Sequence, residues 1–443
     1  MPIDIAAVRA RVAAQKTALP ALYGDVDFDA VPERIPQDPA DSVAGAGTPP
    51  GVAPTQEDLD LVRAYTLMGD RTADAYAALM GTYPFRKLID MLVTACERGI
   101  EAVPDAPPEL KAFIADMERI PDWLDMDLVR EGARADLNAT ANLSPYAIRG
   151  AFVATFMNTY SALPMALTGT LGNETAAKRV NETATFFATT VLPGALERHG
   201  AGFKAAAMVR LMHSMVRFNA LRRAGAWDQK VYGVPIPQVD QMPAGLISIF
   251  LLSYRLLAEG RTSFTPTERA QVELSRYRCF LLGLPEDLLA DTPQGVVRIM
   301  NARSLCLRKG FDDDICGPLV RATLAAYLPP DQSLANRIHN TIERGFAKIF
   351  FLRQFMVGDV EKARAMGVEI TAADKACFAL VALLVTARTG FYRVAMAVPG
   401  VRGWAEQSLV KRIRKLLVRY GHAEFTSDVS KYKPAVGEMK AAA

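Results

Sequence analysis

Histidine and cysteine are scarce: four and five among 443 residues, with no two of them at a metal-ligand spacing. That counts against a multi-histidine zinc or non-haem iron site, and an odd set of scattered cysteines cannot build a disulfide framework. Cys96, Cys279, Cys306, Cys316 and Cys377 therefore read as reduced, mostly core residues of a cytoplasmic protein. Charge of one sign is also missing. A net charge of +3, spread along the chain, gives nucleic acid no basic patch to follow. No long apolar run is unbroken either: the uncharged stretch Gly150 to Asn173 is interrupted by Asn158, Thr159, Ser161, Pro164, Thr168 and Thr170, and reads as a buried helix and turn. Residues 1–19 carry Asp4, Arg9, Arg11 and Lys16 and lack the apolar core of an export signal. Finally, sustained apolar alternation is absent, so strands are not expected and the fold class reads as all-α.

What the chain does have is helical punctuation. Thr55, Thr265 and Thr371 each stand before a first turn with an acid three residues on, followed by apolar residues at helical spacing, which predicts helix starts at all three. Prolines at 20, 32, 36, 39, 49, 50 and 54, with Ala-Gly-Ala-Gly at 44–47, mark residues 1–55 as an arm over the body. The expected organisation is this arm, a helical core over 56–330, a helical extension over 331–425 packed on it, and a flexible tail over 426–443. Within the extension, Leu409 to Tyr420 reads LVKRIRKLLVRY, a basic amphipathic helix. It suits either an anionic membrane surface or ordinary packing with its basic face in solvent.

One histidine stands apart. His213 lies inside the helical stretch 204–223, with Arg210 one turn before it and Arg217 one turn after, on the same face. An imidazole between two guanidiniums is the layout of an iron ligand between anion clamps, since imidazole ligates haem iron and guanidinium pairs bidentately with carboxylates such as haem propionates. The residues alone equally allow a packed core histidine. Met208, Val209, Leu211, Met212, Met215, Val216 and Phe218 would line a dry macrocycle pocket or any other core.

Three ordered phrases narrow the choice: VRLMHSMVR at 209–217, WDQKVYGVPIPQVDQ at 227–241, and TERAQVELSRYRCFLLGLPEDLL at 267–289. Together they resemble the haem b oxygenases that include the rubber oxygenases (latex clearing proteins) and an oxygenase of mycophenolic acid biosynthesis, over roughly residues 110–330. The resemblance implies a globin-like helical core around haem b, iron held by His213, and O2 as co-substrate. It further implies cleavage or oxidation of a carbon-carbon double bond in an apolar, unsaturated, isoprenoid- or terpenoid-like substrate. The missing export signal departs from enzymes of an extracellular polymer and argues against polyisoprene.

The resemblance also implies an arginine, a lysine and a threonine on the helix opposite the histidine. Here these positions hold Arg179, Glu182 and Thr183, so the lysine is replaced by a carboxylate. The family's glutamate on the preceding helix is replaced by Leu163, with no acid between Asp136 and Glu174. Glu182 is then either the displaced general base, taking an allylic proton, or a solvated-face partner of Lys178. A gas-binding globin-like protein without turnover is the alternative function, and the polar set Arg179, Glu182 and Thr183 favours the enzyme.

Overall fold

The computed structural model describes residues 3–44, 52–168, 173–223 and 227–421; the side chains of 173 and 174 are left aside. The expected tail at 426–443, His422 and Ala226 lie outside the described residues. Among the described residues the chain is all helix and loop, with one isolated antiparallel bridge between Ser42 and Arg308.

The three threonines each close a capping box. Thr55 pairs reciprocally with Asp58, Thr265 with Glu268 and Thr371 with Asp374, and helices begin at the next residue in every case. Each satisfies two backbone donors that the helix start would otherwise leave unpaired.

The largest apolar cluster is built around the helices Arg71–Ala78, Ala201–Arg222 and Pro266–Leu281, through Tyr76, Leu211, Val272 and Leu274 among others. A second cluster joins Phe152, Phe156, Leu163 and Leu167 to Val180 and Ala220.

The arm is not loose over 3–44. Val8 and Val12, from the helix Ile5–Ala13, are buried in the main cluster. Gln15 reaches the carbonyl of Leu67 and accepts from the amide of Gly69, and Arg34 forks onto Asp240 at 2.7 and 3.1 Å. At the other end, the helix Leu334–Gln354 packs between Ser144–Ala154 and Ala372–Ala397. The final helix, Arg402–Tyr420, turns Leu409 and Ile413 into the main core. Of the two readings left open for 409–420, packing on the body is therefore the one realised for its apolar side.

Candidate functional site

His213 sits midway along Ala201–Arg222, a helix that starts after a tight turn where the amides of Gly202 and Phe203 both donate to the Ala195 carbonyl. Its neighbour, Asn173–Thr190, packs against it and carries Arg179, Glu182 and Thr183. The imidazole Nδ1 is sealed from solvent and has no hydrogen-bond partner. Burial first, then the positive charge of Arg217, pushes the ring's pKa down to about 4 against the opposing pull of Gln241. The ring is therefore neutral across physiological pH, the form that ligates metal.

Gln241 belongs to the site and was not singled out from the sequence, although it closes the phrase at 227–241. It lies in the first turn of Gln238–Ala258, where its Nε2 donates to Gln238 Oε1 at 2.8 Å. Its own Oε1 is buried and lacks hydrogen-bond geometry to any group, as does His213 Nδ1, yet the amide stands close enough to the ring to favour its protonated form. A buried acceptor beside a buried donor of this kind fixes an imidazole's tautomer and leaves the other ring nitrogen outward.

Arg179 and Glu182 are both buried and face the interior. They pair at 3.0 Å, and Arg179 is near enough for its charge to act on His213. Glu182 therefore does not lie on a solvated face: its side chain is buried beside Arg179. Thr183, one position on, is half-buried. Leu163, in the place of the family's glutamate, is fully buried in the second cluster.

The two arginines expected as propionate clamps already have partners within the fold. Arg210 is held by Asp70 through Nε and Nη2 at 2.6 and 2.7 Å, and its Nη2 also reaches Thr72 and Asp116. Burial works against its charge, but Asp70 and then Asp116 outweigh it and the pKa rises. Arg217 is fully buried and pairs with Asp74, itself fully buried, while Nε and Nη2 donate to the carbonyls of Pro235 and Ile236 at 2.9 and 2.6 Å. Both guanidiniums are thus engaged by the protein's own acceptors rather than held out for a ligand's carboxylates. Their work is to brace the site: Ile236 sits at φ +46°, a left-handed conformation costly for a β-branched residue, and Arg217 pins its carbonyl just ahead of Gln241. Two glycines make room for these pairs. A Cβ on Gly69 would collide with Asp74 and Tyr23, and one on Gly283, at φ +86°, would come within 2.8 Å of Asp70 and 2.9 Å of Arg210.

The remaining described histidines stand elsewhere. His199 has Nδ1 3.1 Å from the carbonyl of Cys96, and His339 packs its ring against Tyr146. Among the described residues no group of three or more His, Cys, Asp or Glu side chains could hold a metal ion. A lone neutral imidazole with an open nitrogen and an unpartnered Nδ1 fits a haem's axial position and does not fit a multidentate metal site.

Comparison with known proteins gives the family. Residues 139–387, more than half of the chain, match the family model described as "ER-bound oxygenase mpaB/B'/Rubber oxygenase, catalytic domain". The chain belongs to this oxygenase family. A solved structure of latex clearing protein in the closed state shares its fold, with a TM-score of 0.55 over 86% of this chain and 95% of that one, at 18% identity. No curated protein matches the sequence. The family span begins inside Met126–Asn142 and runs into Ala372–Ala397, so it takes in the Arg179, His213 and Gln241 positions together and continues past residue 330.

Proposed function

We propose that this oxygenase works with haem b held by His213, and that with O2 it cleaves or oxidises carbon-carbon double bonds of an apolar isoprenoid- or terpenoid-like molecule. The observation that carries the reading is the neutral, largely buried imidazole of His213, with Nδ1 sealed and with Arg179 of the adjoining helix, itself paired with Glu182, close enough for its charge to act on the ring. Bound there, the haem would supply the oxidising power for adding both oxygen atoms across an alkene, giving two carbonyl ends.

The chain's own residues do the rest. With haem bound, Gln241 Oε1 would accept from His213 Nδ1–H, the two being buried side by side without other partners, and this would leave Nε2 for iron. Arg179 offers a charged donor where negative charge develops on oxygen, a role worth most in a site sealed from water. The Glu182 carboxylate takes an allylic proton from the substrate and returns it as the products form, while Arg179 holds it in place. Thr183 contributes its hydroxyl beside that carboxylate.

Oxygen uptake with a panel of unsaturated isoprenoids and polyunsaturated lipids tests the reading. Glu182→Gln is expected to lower kcat by about a hundredfold with haem content unchanged, the ordinary scale of a lost general base. Undiminished turnover would remove the carboxylate from the mechanism.

A further inference from the structure

Helix Ala372–Ala397 is long and apolar enough to cross a membrane, yet hardly any of it is buried in the fold. One side is fixed to the body: Phe378 stacks on Phe346 with ring centroids 4.9 Å apart, Val381 is buried, and Asn138 donates to the carbonyl of Thr389. The opposite side faces solvent. Leu380, Leu383, Phe391 and Val394 are each more than half exposed and fall at helical spacing along a rod of about 39 Å. Trp404, also more than half exposed, stacks on Tyr392 and extends the stripe onto the next helix, Arg402–Tyr420.

Along the two helices that carry this stripe the charge is one-sided, although Glu131 of another helix reaches Arg402 at 3.4 Å. Between Lys375 and Gly421 the sequence holds nine lysines and arginines and a single acid, Glu406, in a chain whose total charge is only +3, so the remainder is net acidic. That one acid is taken by Arg134 and Arg402 at 3.1 and 2.9 Å. Lys411, Arg414 and Lys415 stay in solvent, because the apolar side of their helix is turned into the core.

We propose that these two helices form a docking face for an anionic membrane surface, with the chain lying on the bilayer and not crossing it. An exposed apolar stripe beside a basic face, with tryptophan at its end, meets the needs of a headgroup boundary: apolar side chains enter the acyl region, and lysine and arginine reach lipid phosphates. A second copy of the chain fits less well, since it would press the same positive surface against itself. Spanning is excluded by the contacts that hold the other side of Ala372–Ala397 to the body. Docking does not depend on haem or on the substrate. It would nevertheless place an enzyme for apolar molecules where such molecules accumulate.

Flotation of the full chain with vesicles tests this. We expect partitioning onto mixed phosphatidylglycerol and phosphatidylcholine vesicles at least about tenfold stronger than onto phosphatidylcholine alone, and weakened by salt. Leu383→Asp combined with Val394→Asp, both at exposed positions, should reduce binding about tenfold or more while far-UV circular dichroism stays unchanged. Equal binding by the double variant, or no binding of the wild type to the anionic vesicles, would overturn the proposal. So would light scattering that shows a dimer dissolved by the same double variant, since the stripe would then cover a second copy.

Discussion

Arg210 and Arg217 show how far sequence spacing carries at the scale of a residue. Their positions one turn either side of His213 were legible, and so was the face they share with it. Their partners were not, because Asp70, Asp74 and Asp116 lie far away along the chain and nothing in local periodicity links them. An arginine in a buried pair leaves an uncompensated carboxylate behind when removed. Arg217→Ala is therefore expected to cost about 3–5 kcal/mol in urea unfolding, as against about 0.5 kcal/mol or less for an arginine waiting unpaired at the surface. A stability loss at the lower figure would return Arg217 to the role of a ligand clamp. Gln241 went unread for a related reason: glutamine in the first turn of a helix has no pattern of its own, and only its nearness to a buried imidazole gives it a role.

Among the elements, caps were the most readable feature, since a threonine and an acid three residues apart complete their hydrogen bonds within one turn and need no tertiary partner. Burial was less readable. Ala372–Ala397 has the composition of a core helix and lies at the surface, a choice made by the packing of other elements and not by its own periodicity. The helix that packs on it, Leu334–Gln354, carries a titration that can be checked. Burial, then the charge of Arg419, holds His339 down at about 4 from its ordinary 6.5, in a small cavity it shares with Glu343. Between those values the unfolded chain takes up the proton and the folded chain does not. The stability held above pH 6.5 is accordingly lost as pH falls towards 4. Compared with His339→Phe in urea melts, the wild type should lose ground steadily across this window. A constant difference between the two would mean that His339 titrates normally in the fold.

On the scale of the whole molecule, the all-α class followed from missing alternation and abundant caps, and the family span and the shared fold agree with it. Helices of a single turn such as Gln15–Ala18 and Gln229–Tyr232 were not legible, being too brief for any periodicity to register. The site depends on this larger assembly. The arm places Tyr23 against Asp74, the partner of Arg217, and Arg34 against Asp240, next to Gln241, so the surroundings of His213 and Gln241 are braced by segments from outside the family span. Hemin titration of the purified chain, read by its absorption spectrum beside that of His213→Ala, tests the central claim most directly. The account predicts a Soret band in the wild type that saturates at equimolar hemin and is lost in the variant. A wild type that stays colourless, or a variant with the same spectrum, would contradict it.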